Sequence, residues 1–120
     1  MSELNHPNVL ELKAYSVGKG KLLCGDNLVS ENSTYFVMPL IGKGDLGSYL
    51  KMPNMHFSEK MSSFFFAQII DGLDFIHSKG YVHLDIKPEN ILITKHLEIK
   101  IADFGLTCLI DGEDGKGNFV

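Results

Sequence analysis

Residues 58–80 carry the pattern that most narrows what this chain can fold into. Phe65, Ile69, Leu73 and Ile76 recur at steps of three and four, between Ser58-Glu59 at one end and Lys79-Gly80 at the other. That spacing lines one face of a helix with apolar side chains. Ser58 suits the N-cap, Glu59 the first turn, and Gly80 the residue just past the end. Phe64, Phe66, Ile70 and Phe75 widen the apolar face, so the pattern predicts a helix buried on more than one side. A polar loop follows, then a short strand Ile91 to Ile93, a turn, and a strand Glu98 to Ile101. The expected class is α+β, with a long helix beneath a two-strand platform.

Upstream, Pro7 pushes His6 out of the helical region, so Leu4 to Asn8 reads as a helix end or turn. Val9 to Val17, with Leu10, Leu12 and Ala14 alternating, reads as a strand, and Gly18-Lys19-Gly20 as a turn. Lys21 to Ser33 is ambiguous: Leu22 and Leu23 could extend a strand, while Gly25-Asp26-Asn27 breaks it. Thr34 to Pro39 is β-branched and aromatic and reads as a second strand. Gly42-Lys43-Gly44 is a connector, and Asp45 can cap a short helix through Lys51. The tail from Asp111 to Asn118, rich in glycine and charge, is expected to be mobile. No internal repeat is present.

The chemistry concentrates in two places. Tyr81 to Ile93 holds Asp85, Lys87 and Asn90 in one tight loop, and Lys100-Ile101-Ala102-Asp103-Phe104-Gly105 holds a second aspartate. A base that orients a hydroxyl, a cation for phosphate and two oxygen ligands for a metal are what phosphoryl transfer from a Mg-nucleotide requires. Hard oxygen donors suit Mg²⁺, which keeps several waters and takes one or two protein carboxylates. The plain alternative is a polar turn between helix and strand, plausible for each residue alone and poor for all jointly. His83 is better read as a hydrogen-bonded structural histidine than as an acid or base. His6, His56, His77 and His96 are scattered and look like surface or capping residues. Cys108 reads as a small hydrophobe, not a reactive thiol.

With these residues placed, the chain resembles the middle of a eukaryotic protein kinase domain, of the serine/threonine type. Leu4 to Val9 looks like the link after the family's αC helix. Tyr35 to Ile41 looks like the strand and hinge that hold adenine, and Gly44-Asp45-Leu46 like the start of the next helix. His83 to Asn90 and Asp103-Phe104-Gly105 follow in the family's order. The resemblance implies a partial kinase-like fold: residues 1–41 as small-lobe strands and hinge, 42–110 as large-lobe helix with catalytic and metal loops, and 111–120 as the start of the activation segment. It implies ATP and Mg²⁺ as cofactors and a protein serine or threonine hydroxyl as acceptor. Asp85 would accept or orient the hydroxyl proton, and Lys87 would contact the phosphate. Asn90 and Asp103 would hold magnesium. Met38 would be the gatekeeper, Pro39 (carbonyl) and Ile41 (amide) the hinge contacts, Leu92 the floor under adenine, and Asp45 a neighbour of the ribose. His83 and Phe104 would join the apolar spine behind the site.

Composition limits the partners. A net charge of −4 and a pI near 5.6 give no basic footprint for nucleic acid or anionic membrane. No apolar run approaches the ~20 residues of a bilayer span, and the polar start has no signal core. An intracellular, cytoplasmic chain with free thiols at Cys24 and Cys108 is the expectation. The family's glycine-rich loop, strand lysine and later large-lobe helices have no counterpart within the 120 residues. The chain is therefore expected to be neither stably folded nor active by itself. Leu84 stands where many relatives carry an arginine that pairs with a phosphate, which argues against activation by phosphorylation after Gly105. Two functions follow: a serine/threonine kinase segment, or a non-catalytic fragment that at most binds nucleotide weakly or docks a partner.

Overall fold

Gly25 and Asp26 make the two-residue turn that resolves the ambiguous stretch. In the computed structural model, which describes residues 4–111, strand β1 (Ala14–Cys24) runs antiparallel to β2 (Asn27–Val37), with Cys24 opposite Asn27. Gly25 adopts φ +61 at the first central position, which the tight hairpin turns assign to glycine. The turn expected at Gly18-Lys19-Gly20 is instead a bulge inside β1, between the pairs Ser16–Tyr35 and Gly20–Ser33. Two extra residues on β1 bend the ribbon there without ending it. The strand expected from Val9 begins later, at Ala14.

Helix α1 (Leu46–Leu50) is short, and the Asp45 side chain accepts from Ser48 N at its start. Helix α2 (Glu59–Ser78) is the long one; the Ser58 side chain accepts from Met61 N, and Lys79 is the C-cap. Its stripe packs against β4 (Ile91–Ile93) and β5 (Ile99–Ile101), which pair antiparallel. Side chains alternate across a strand. Ile91, Ile93, Ile99 and Ile101 therefore share one face, all buried with Phe65, Ile76 and Val9, while Leu92 points the other way. On the other side of α2, Phe64, Phe66 and Ile70 are exposed among the described residues. Phe75 is half-buried, stacked on His6 at 4.8 Å between ring centres.

Two features have no local sequence signal. The segment Asn8–Leu10 lies parallel to β5, with Ile101 N donating to Asn8 O and Leu10 N to Ile101 O, both at 2.9 Å. The chain after Gly105 also returns as β6 (Cys108–Leu109) to pair with β3 (Tyr81–Val82), and Ile110 N donates to Gly80 O at 2.8 Å.

Gly72 is a close contact of α2 with the platform and with Asn8. A Cβ there would lie 2.8 Å from Ile101 Cδ1, 3.0 Å from Asn8 O and 3.2 Å from Asn8 Cβ. Alanine gains about 1 kcal/mol of helix propensity over glycine, but overpacking costs about 1–3 kcal/mol, and Asn8 O is main chain that cannot turn aside. Gly72→Ala should therefore lower stability by about 1 kcal/mol, read as a lower urea midpoint at unchanged m. A raised midpoint would contradict this contact.

Candidate active site

The loop after β3 is shaped by one histidine. Asp85 N donates to His83 Nδ1 at 3.2 Å, and His83 Nε2 lies 3.0 Å from Ala102 O. A carbonyl only accepts, so Nε2 carries the hydrogen and Nδ1 is the bare nitrogen. His83 is almost fully buried, with its ring edge-on to Phe104 at 4.9 Å. Between His83 and Asp85, Leu84 takes φ +64. Pro88–Asn90 forms a single 3₁₀ turn, closed by Asn90 N donating to Lys87 O at 2.9 Å.

That turn swings Asn90 back over Asp85. Its Nδ2 donates to both Asp85 O and Asp85 Oδ2 at 2.9 Å. With the amide nitrogen so held, Oδ1 is left without a hydrogen bond among the described residues. Lys87 Nζ reaches both Asp85 oxygens, at 3.1 and 2.9 Å. Nearby, Lys51 pairs with Glu89 at 3.0 Å, joining α1 to the 3₁₀ turn.

The second loop is tied to the first through main chain. Ala102 N donates to Asn90 O at 2.9 Å while Ala102 O takes His83. Asp103 follows at once, exposed, with φ +61 and one oxygen accepting from Gly105 N at 3.2 Å. A non-glycine residue in that region persists only where its surroundings hold it, commonly at functional sites. Asp85, Lys87, Asn90 and Asp103 thus belong to one connected network.

The hydrogen bonds from Lys87, with Asn90 adding to them, hold the Asp85 carboxyl below the usual carboxylate range, and Asp85 in return raises the Lys87 ammonium. A depressed carboxyl stabilises the folded chain above the ordinary carboxylate range, and that contribution fades as pH falls through the folded value. Lys87→Met removes the first of the causes. The Asp85 carboxyl, followed by NMR, should then titrate at higher pH, and an unmoved titration would refute the coupling.

Beside this network opens a cleft of about 510 Å³, lined by Leu10, Leu12, Phe36, Met38, Leu92, Ala102, Phe104 and Gly105, with Asp103 contributing charge. The volume is that of a small-molecule site. Met38 and Leu92 are in its wall; Pro39, Ile41 and Asp45 are not among its lining residues. The Pro39 carbonyl and the Ile41 N–H make no hydrogen bond among the described residues. Asp45 is bridged to Leu92 through main chain, but its carboxylate already accepts from Ser48 N at 2.8 Å and Ser48 Oγ at 2.7 Å. These hydrogen bonds hold it below its usual range. Leu10, Leu12, Phe36 and Ala102 escape the sequence reading as wall residues. The alternation of Leu10 and Leu12 is visible there, but not which side they face. Of the activation-segment assignment 111–120, all but Asp111 lies outside the described residues.

The family model described as Protein kinase domain matches residues 1–120. The chain is 35% identical over 117 residues to CBL-interacting serine/threonine-protein kinase 15 of Arabidopsis thaliana, covering 98% of this chain and 24% of that protein. It is 33% identical over 117 residues to CBL-interacting protein kinase 26 of Oryza sativa subsp. japonica, covering 98% and 21%. It is 38% identical over 112 residues to serine/threonine-protein kinase PDK1 of Cryptococcus neoformans var. grubii, covering 92% and 8%. The chain belongs to the protein kinase family, on its serine/threonine side. It spans a quarter or less of the length of these curated relatives. No described helix is long and apolar enough to cross a membrane.

Proposed function

We propose that the protein transfers the γ-phosphoryl group of ATP to a serine or threonine hydroxyl of a protein, in a Mg²⁺-dependent reaction. The observation that carries this reading is the link between the two loops: Asn90 holds Asp85 by its side chain and Ala102, next to Asp103, by its main chain. Asp85 orients the acceptor hydroxyl and takes its proton as the oxygen–phosphorus bond forms and the bond to the leaving ADP oxygen breaks. Lys87 offers a cation to the transferring phosphate. The donor set fits magnesium, since Asn90 Oδ1, which takes no hydrogen bond among the described residues, and the exposed Asp103 carboxylate are hard oxygens. Bound Mg²⁺ would neutralise phosphate charge. Met38 and Leu92 flank the adenine, the Pro39 carbonyl and the Ile41 N–H hold its edge, and Asp45 lies toward the ribose. In this reading residues 1–41 contribute the upper wall and hinge, and residues 42–110 the catalytic floor.

The test is phosphate transfer by the intact protein to serine, threonine and tyrosine peptides, with and without chelator. Chelator-sensitive transfer to serine or threonine supports the reading; binding of nucleotide without any transfer favours the non-catalytic alternative. Thr107, the only hydroxyl between Gly105 and Val120, keeps its Oγ1 buried and without a partner. Thr107→Val should therefore leave the transfer rate unchanged, and a silenced Thr107→Val protein would show activation through that hydroxyl.

A further inference from the structure

The outer edge of β5 is hydrogen-bonded group by group, and two of the partners are side-chain amides. Gln68, on α2, donates from Nε2 to Leu97 O at 3.2 Å and accepts at Oε1 from Ile99 N at 2.9 Å. Asn8 donates from Nδ2 to Ile99 O and to that same Gln68 Oε1, both at 3.1 Å. Main chain then takes over, with Ile101 N donating to Asn8 O and Leu10 N to Ile101 O. The Gln68 amide thus offers one acceptor to β5 at Ile99 and one donor to Leu97 in the turn before it, as a neighbouring strand would. β4 occupies the opposite edge. Gln68 lies on the buried stripe of α2, between Phe65 and Gly72, where a polar residue is costly unless its hydrogen bonds are made.

This edge leads straight to the site. Asp103 follows Ile101 by two residues and keeps its left-handed backbone. A one-residue slip of β5 would turn Ile99 and Ile101 out of the core and displace Asp103 with them.

We propose that Asn8 and Gln68 are positioning residues for Asp103: by fixing the register of β5 they hold the metal-binding carboxylate in place and join α2 and the Asn8–Leu10 segment to metal binding. The proposal rests on the reading of Asp103 as a magnesium ligand. Neither amide touches nucleotide or metal; both act through β5. Partners that orient a metal ligand from behind typically contribute about 10–100-fold in metal affinity.

The experiment compares ADP binding by the intact protein, by calorimetry, with and without Mg²⁺. The proteins are wild type, Gln68→Leu, Gln68→Glu and Asp103→Ala. Gln68→Glu keeps the shape and the acceptor for Ile99 N and Asn8 Nδ2 but sets an oxygen against Leu97 O; Gln68→Leu removes all three bonds. In Gln68→Leu the gain in ADP affinity on adding Mg²⁺ should fall about tenfold or more, with metal-free ADP affinity unchanged. Gln68→Glu should fall between Gln68→Leu and wild type, and it decides the matter alone if Gln68→Leu does not fold. A purely structural role would weaken both forms of binding alike, and that result overturns the proposal. A wild-type magnesium response in folded Gln68 variants, with Asp103→Ala losing its response, also overturns it. An Asp103→Ala protein that keeps its magnesium response overturns the metal reading, and the proposal with it.

Discussion

Asp85→Asn is expected to slow phosphoryl transfer by about 10²- to 10⁴-fold, the usual contribution of a positioned general base. Asparagine keeps the shape but cannot accept the hydroxyl proton, and it no longer balances the charge of Lys87, which lies 2.9 Å from an Asp85 oxygen. Stability should hardly change, because the pair is open to solvent and such pairs contribute little. The affinity for ATP should also hold, since Asp85 is not in the cleft wall. Single-turnover kinetics at saturating ATP separate these effects. Undiminished transfer by Asp85→Asn would remove Asp85 from the role of base.

The second large effect concerns α2. Ile76 is fully buried, at 0% exposure, and Ile70, on the same helix, is 47% exposed. Ile76→Ala should cost about 2–5 kcal/mol through lost burial and the cavity left behind. Ile70→Ala should stay within about 0.5 kcal/mol, as surface changes do. A small domain has only about 5–15 kcal/mol in total, so Ile76→Ala removes much of it. Paired urea melts of the intact protein measure both. Equal losses at the two positions would mean that α2 is covered on the Ile70 side as well.

That contrast marks how far the sequence reaches. The Ser58 cap, the length of α2 and the Phe65-to-Ile76 stripe follow from local spacing, as do the platform strands. How wide the buried face is does not, because Phe64, Phe66 and Ile70 are equally apolar whatever lies opposite them. Gly18-Lys19-Gly20 looks like a turn because paired glycines punctuate most chains; the tighter two-residue turn at Gly25-Asp26 competes with it, and pairing along both flanks decides between them. In the site, the order of Asp85, Lys87, Asn90 and Asp103 is legible. Their connection is not, since it depends on a 3₁₀ turn and on Ala102 meeting Asn90. The wall residues Leu10, Leu12 and Phe36 come from distant sequence, and the Asn8–Gln68–Ile99 network has no local signature beyond a polar residue on an apolar stripe.

The pairing of β3 with β6 has a dynamic consequence. Val82 and Cys108 stand opposite each other, so everything from Asp85 to Asp103 lies within a loop whose neck is two residue pairs and the bond from Ile110 N to Gly80 O. A neck that short is the natural place for local opening. When it parts, the loop is still closed further in, by His83 Nε2 on Ala102 O and by the pairing of β4 with β5. The amides of Val82 and Ile110 are then sentinels. If their hydrogen exchange keeps pace with that of Asn90 and Ala102, the site opens and closes as one unit; if they exchange far faster, the platform keeps its shape while the neck breathes.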